Sequence, residues 1–521
     1  MARALVFLFV LLPWLNPFSP GPTPAVAPFL FAWTCTSLVV FIVAANNIGH
    51  NSLFRCAASA WFVAAGLSGW IGLMQYFGAT DWAGPWIDHT GLGEAYGNLR
   101  QRNQFATLMN LGLAALVWRT SGARRASASV FGKLSSSAPI TWYLGITGAT
   151  LLSFANAASS SRTGLVQLVV LVCLALVWQR RLPGQPDRAR SLRHQRQLVV
   201  AAVAGYAIAT FLLPWIAGLD PFSSSAWARL RSGDALCASR KTLWSNVLYL
   251  IAQKPWTGWG WGELDYAHFI TLYPGARFCD ILDNAHNLPL HIAVEFGLPA
   301  AVAMCSAMLG LIWVARPHRE TNTARQLAWA VLLVVGLHSF LEYPLWYGPF
   351  QTATLMSIWL LWSTSMHSRT VAPFASFGVS PKLARSLVAM LAIAVITACG
   401  YAGWQYQLVS QIYLPQSSRM THYKEDTLEK LNGVSLFRDQ VRFADLTTTD
   451  VEAGNAQLVH DLAIEMLHFS PEPRVAELIL DSATLLGQRD DVSFYAARYK
   501  AAFPDAYAQW LARRSPGTEP L

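Results

Sequence analysis

Charge is scarce in this chain. Asp, Glu, Lys and Arg make up 13% of its 521 residues, against roughly 25% in a soluble globular protein, which excludes an ordinary cytosolic enzyme. Cysteine is sparse as well: the seven residues are scattered and never take the paired spacings of a structural zinc site. Acids are the minority sign, 29 against 38 Lys plus Arg. The surplus of +9 would favour nucleic acid or anionic lipid if it were evenly spread. What is abundant is apolar, 54% of the residues, arriving in blocks about as long as the ~20 residues a helix needs to cross a bilayer.

The blocks fall near 3–15, 27–45, 57–77, 104–118, 140–157, 163–178, 198–216, 287–314, 327–341, 345–365 and 386–407, which predicts an all-α polytopic membrane protein of about 11 transmembrane helices. With the N-terminus inside, the loops on that side collect 18 of the 38 basic residues, but only Asp187 and Glu320 as acids. This is the positive-inside pattern, so the basic balance reports orientation and no nucleic-acid partner is expected. Residues 1–27 read either as a first span closed by the turn NPFSPGPTP or as a cleavable leader ending at Ala27. Both readings leave the later topology unchanged.

Two regions lie outside the bilayer in this reading. The loop 217–286 is rich in Trp and Gly. Within it, Arg240 to Ala252 has the helical spacing of an amphipathic segment resting on the membrane surface. Cys237 and Cys279 share this loop and would pair if that side is oxidising. The tail 408–521 returns to an amphipathic helical period, with helices near 453–468, 474–486 and 491–502. Its FSP and FP junctions, about 34 residues apart, suggest a tetratricopeptide-like hairpin beside the simpler reading of a small helical bundle. The transmembrane part, 1–407, and the tail, 408–521, are thus expected as two domains.

Candidate chemistry gathers at the outer rim. Arg162 sits in the short link SSSRTG, Arg240 in the large loop, His286 and Asn287 at the entry to the eighth span, Glu342 and Tyr343 at the end of the ninth, and Gln101 in the run Gln-Arg-Asn-Gln before the fourth. Guanidinium forks hold phosphate oxygens bidentately, so Arg162 and Arg240 suit a lipid-linked pyrophosphate. A histidine can take the proton of an incoming hydroxyl. Blander readings fit the same residues, with the arginines on lipid headgroups and His291 with Glu295 as an internal i,i+4 pair. Asp280, Asp283 and His286 have i,i+3 spacing, but no fixed metal-ligand set accompanies them.

These residues resemble a known family. NAHNLPLHIAVEFGLPA at 284–300 is similar to the His-Asn, nine residues, Gly signature of the O-antigen ligase superfamily, with His286, Asn287 and Gly297 in register. The segment from Arg240 through PWTGWGWGE resembles that superfamily's periplasmic-loop pattern, and SSSRTG its arginine turn. GNLRQRNQFA at 97–106 and FLEYPLWYGPF at 340–350 resemble the protein O-oligosaccharyltransferase branch, whose members glycosylate pilins.

The resemblance implies a GT-C-like enzyme of the bacterial inner membrane, with its large loop and tail periplasmic. It implies transfer of a preassembled glycan from undecaprenyl pyrophosphate to Ser or Thr of an exported, pilin-like protein, with inversion and with no nucleotide sugar, metal or cofactor. His286 would be the base, Arg162 and Arg240 the pyrophosphate clamp, and Gln101, Asn287, Glu342 and Tyr343 supporting residues. A lipid A-core O-antigen ligase or an O-antigen polymerase would share the donor and differ in acceptor. A secondary transporter is the reading from another class. It would need carboxylates at the membrane midplane and internal repeats, of which Glu295 is the one candidate and no repeat is evident.

Overall fold

A computed structural model describes residues 1–16, 18, 25–121, 138–180, 186–224, 237–366 and 380–514, which are helical with no strand among them. The first seven main helices are α1 (Ala2–Leu11), α2 (Val26–Asn46), α3 (His50–Tyr76), α4 (Arg102–Ser121), α5 (Ala138–Ala158), α6 (Arg162–Arg180) and α7 (Pro186–Ile216). Then come α8 (Arg240–Gln253), α9 (Leu264–Ile270), α10 (Leu288–Phe296), α11 (Leu298–Ala315), α12 (Thr323–Ser339), α13 (Gly348–Met366) and α14 (Pro381–Val409). The tail adds α15 (Arg438–Thr448), α16 (Ala456–Met466), α17 (Pro473–Leu485), α18 (Arg489–Ala502) and α19 (Pro504–Arg513).

The chain is a polytopic membrane protein. Among the described residues, six helical stretches are long and apolar enough to cross a bilayer: Val26–Asn46, His50–Tyr76, Arg162–Arg180, Leu192–Ile216, Leu298–Arg319 and Pro381–Tyr413. The expected spans near 104–118, 140–157, 327–341 and 345–365 are helices as well, namely α4, α5, α12 and α13. The expected continuous span 287–314 is not one helix. It breaks at Gly297, whose φ of +86° lies outside the helical region, into α10 and α11.

Contacts divide the chain into two compact units, Met1–Ser232 with Ile312–Tyr401 and Gly233–Leu311 with Ala402–Leu521. In the first, small residues let helices approach closely, as expected where lipid supplies no hydrophobic drive for helix association. Ala57, Ala58, Ala64 and Ala65 of α3 are buried, and a Cβ added at Gly112 of α4 would lie 2.4 Å from that of Ala65. Aromatic rings fill the wider gaps. Phe54 packs on Trp61 at 5.9 Å, and Trp14 packs on Phe350 at 5.0 Å, both edge to face.

The second unit joins part of the large loop to the tail. Leu243, Val247, Leu250 and Ile251 of α8 form one buried face against Ala293 and Val294 of α10 and Leu264 of α9. The apolar stripe expected on the membrane surface is therefore covered by protein. Helix α9 also docks on the tail: Phe269 enters the core made by α16, α17 and α18, Arg498 donates from Nε to the Ile270 carbonyl at 2.7 Å, and His468 stacks on Tyr266 at 3.7 Å. The three expected tail helices are present as α16 to α18. A fourth, α19, follows beyond the three expected from the sequence, and it starts at Pro504. That proline occupies the first turn of the helix, where its missing N–H costs nothing. Cys237 and Cys279 form a disulfide with Cα atoms 5.3 Å apart.

Candidate functional site

In the second unit the sequence itself explains the posture of His286. Asn284 accepts the backbone N–H of His286 through Oδ1 at 2.7 Å, and His286 takes the left-handed region with φ +50°. Asn287 then caps α10, its Oδ1 accepting from Leu290 N at 3.0 Å. Trp244 of α8 donates from its indole nitrogen to the Ala285 carbonyl at 3.1 Å. His286 is therefore a half-buried side chain on a strained residue, fixed between a cap and a helix start. Strain of this kind persists only where its surroundings over-determine it. Asp283 is close enough for its charge to couple with that of His286. Arg240, also half-buried, opens α8, whose N-cap Ser239 accepts from Thr242 N.

The PWTGWGWG loop is stitched to the end of α10. Trp259 N donates to Val294 O at 2.8 Å, Gly260 N to Glu295 O at 3.0 Å and Leu298 N to Pro255 O at 2.8 Å. Gly262 N reaches the Glu295 carboxylate at 2.9 Å. Two glycines permit this approach: a Cβ at Gly258 would sit 2.3 Å from Glu295 O, and one at Gly297 would sit 2.3 Å from Trp256 O. The two motif segments, 255–262 and 294–298, are thus held together by backbone hydrogen bonds. Glu295, expected as an internal partner of His291, lies 3.5 Å from its Nε2, and both side chains are buried.

A second buried cluster of this unit had no role in the sequence reading. His268 places Nε2 3.2 Å from the Phe278 carbonyl and Nδ1 2.8 Å from the Tyr273 hydroxyl, which makes Nε2 the protonated nitrogen. Burial, reinforced by the Arg277 charge, pushes its pKa down to about 3, so it stays neutral at any physiological pH. Burial pushes the nearby Asp265 carboxyl up to about 7, with further upward push from Asp283 and Glu263. This cluster ties the loop together.

In the first unit, polar side chains at helix ends link Glu342 to the turn before Arg162. Ser161 donates from Oγ to Asn103 Oδ1 at 2.6 Å, and Asn103 donates from Nδ2 to Glu342 Oε1 at 3.0 Å. The turn before Arg162 is thereby joined to α4 and to the residues following α12. Arg162 is the first residue of α6 and half-buried. Gln101 accepts Gln104 N at 2.7 Å and so acts as a cap of α4. Arg102 is occupied by Glu94 and the Tyr96 hydroxyl, at 3.1 and 2.7 Å. Tyr343 stacks on Tyr347 with ring centroids 6.0 Å apart.

Beneath this lies a network that the sequence reading missed. Thr107 meets His338 Nδ1 at 3.0 Å, Gln167 donates to Val334 O at 2.9 Å, and Asn110 donates to Gln167 and to the Gly164 carbonyl, both at 3.0 Å. A signal for it existed: His338 is an ionisable residue inside an apolar block, a functional candidate by default. Gln101, Arg162, Glu342 and Tyr343 therefore belong to one unit, and Arg240, His286 and Asn287 to the other.

Three family models match along the chain. Residues 147–305 match "O-Antigen ligase", 95–119 match "Protein glycosylation ligase", and 326–515 match "Virulence factor membrane-bound polymerase, C-terminal". Among curated proteins, the chain is similar to a general O-oligosaccharyltransferase of Acinetobacter baylyi, 24% identical over 336 residues, 62% of this chain and 53% of that protein. It is also similar to a ComP-specific O-oligosaccharyltransferase of the same organism, 23% identical over 266 residues, 50% of this chain and 42% of the relative. The chain thus spans about half the length of the curated relatives it matches.

Proposed function

For a chain that carries O-antigen ligase and protein glycosylation ligase domains, we propose transfer of a preassembled glycan from undecaprenyl pyrophosphate to a Ser or Thr hydroxyl of an exported protein. The reaction takes place at the periplasmic face of the inner membrane. His286 is the base: it removes the hydroxyl proton as the oxygen attacks the anomeric carbon from the side opposite the departing pyrophosphate, which inverts that carbon. Arg162 and Arg240 hold the pyrophosphate and take up the charge that develops as the sugar–phosphate C–O bond breaks. Pyrophosphate already leaves well, so two guanidinium groups suffice without a metal. Asn287 and Gln101 hold helix starts at the site, and Glu342 and Tyr343 shape its wall.

The observation that carries this reading is the posture of His286, a half-buried histidine on a left-handed residue pinned by Asn284 and the start of α10. Its test is Arg162→Lys and Arg240→Lys in cells supplied with a lipid-linked glycan and a pilin-type acceptor. Each keeps the charge but loses the bidentate fork, and each should lower glycosylation on the order of 10²-fold at unchanged protein level. Glycosylation at the parental rate in both variants would remove the clamp. The match of 326–515 to a membrane-bound polymerase favours a second reading, with a growing glycan as acceptor. Product that appears as lengthened lipid-linked glycan, with none on protein, would establish it.

A further inference from the structure

The C-terminal ends of α4 and α6 and the N-terminal parts of α7 and α12 surround an open-sided apolar cavity of about 90 Å³, walled by Leu116, Val117, Leu171, Ala175, Leu198 and Leu327. These helix ends adjoin the segments that the charge pattern assigns to the inside, which on that pattern is the end at the inner leaflet. One lining residue breaks its apolar character. Gln179 is 6% exposed; its Oε1 accepts from Arg196 Nε at 3.2 Å, and its buried Nε2 has no hydrogen-bond partner among the described residues. A buried carboxamide N–H needs an acceptor, and none of the described residues supplies one. Arg180, Arg193 and Arg196 are exposed at the same end.

We propose that this cavity binds an anionic phospholipid of the inner leaflet. A segment of one acyl chain enters the apolar space, an ester or phosphate oxygen accepts from Gln179 Nε2, and the headgroup charge meets Arg196. Basic pockets between membrane helices on the cytoplasmic side select such headgroups. The donor polyprenyl pyrophosphate, in contrast, presents its charge to the other face. The proposal stands apart from the glycan-transfer reading and shares with it only the orientation of the chain.

The experiment uses the full chain in nanodiscs of equal phosphatidylglycerol and phosphatidylcholine, with retained lipid identified by native mass spectrometry after transfer to mild detergent. The parental protein should retain phosphatidylglycerol over phosphatidylcholine by roughly fivefold, the ratio that about one cation near a membrane surface provides. Arg196→Gln, which removes the cation, should bring the ratio close to one; Gln179→Leu, which removes the donor to an oxygen that both lipids carry, should lower the retention of both; and Ala175→Trp, which fills the cavity, should lose the lipid. Should Ala175→Trp not fold, Arg196→Gln and Gln179→Leu decide. Equal retention of the two lipids by the parental protein, a preference unchanged in Arg196→Gln, or retention unchanged in Gln179→Leu would overturn the proposal. So would displacement of the retained lipid by added undecaprenyl phosphate, which would assign the cavity to the donor's tail. Because lipid retention is read without any transfer assay, its failure is distinct from failure of the catalytic reading.

Discussion

At the scale of the residue, the proposed base His286 and its neighbour His291 differ in setting. His286 is half-buried on a strained backbone, whereas His291 is 6% exposed and donates its backbone N–H to the Asn287 carbonyl at 2.9 Å. His286→Ala should abolish glycan transfer at an unchanged amount of membrane-inserted protein. His291→Ala should reduce the amount of folded protein more than the activity per molecule, measured as glycosylated acceptor normalised to immunoblot signal. Parental transfer by His286→Ala would end its role as base. Asp265 carries a second residue-scale expectation. Its carboxyl, raised by burial to about 7 in the folded chain, ionises only at a cost. Below pH 4 both folded and unfolded states hold the proton and the cost is absent. Between about pH 4 and 7 the folded state binds more protons than the unfolded one, so stability falls as pH rises and then levels off. Asp265→Asn should therefore slow amide exchange in 264–270 and 489–502 relative to the parent at pH 8, with the difference closing near pH 4. A difference independent of pH would show that the carboxyl does not titrate as described.

At the scale of the element, the close approach of PWTGWGWG to the end of α10 rests on Gly258 and Gly297, where no Cβ fits. Gly297→Ala places a Cβ against Trp256 O in a backbone region that costs an L-residue about 1–3 kcal/mol. The variant should accumulate at a lower level and melt earlier, whereas alanine at Gly310, where a Cβ meets nothing within 4 Å, should be neutral. Equal thermal midpoints for the two would contradict the stitched arrangement. This same place marks how far the sequence could be read. The helical character of the apolar blocks and the α16 to α18 helices were legible because hydrophobic period and Gly/Pro punctuation are local signals. The break within 287–314 was not, since both halves are apolar and the reason for the break is a partner strand of loop some 40 residues earlier. The buried face of α8 was misread for the same cause: periodicity reports that a face is apolar and is silent on whether lipid or protein covers it. His286, Arg240 and Asn287 stand out by motif as candidates, while the link of Asn103 to Glu342 and of Thr107 to His338 is visible only in the distances.

At the scale of the whole molecule, the docking of α9 on the tail constrains how the chain crosses the membrane. Residues 264–270 and 456–502 pack in one core, so they lie on one side of the bilayer, and the number of crossings between them must be even. Helices α11 and α14 are long and apolar enough to cross. It follows that α12 and α13 cross as a pair or not at all. Their 17 and 19 residues span roughly 26 and 28 Å, close to the 30 Å hydrocarbon core. Arg325 at the start of α12 bonds Glu320 at 2.6 Å and the Leu361 carbonyl of α13 at 2.7 Å, so the two helices run antiparallel with the 340–347 turn at their far end. If they cross, that turn, with Glu342 and Tyr343, emerges on the side of the loop and the tail, as the proposed site requires. Sandwich fusions of alkaline phosphatase should then be active at residues 343 and 420 and inactive at 320 and 190. Equal activity at 320 and 343 would mean that the pair does not cross. Glu342 and Tyr343 would then drop out of the site, and His286, Arg162 and Arg240 would have to work without them.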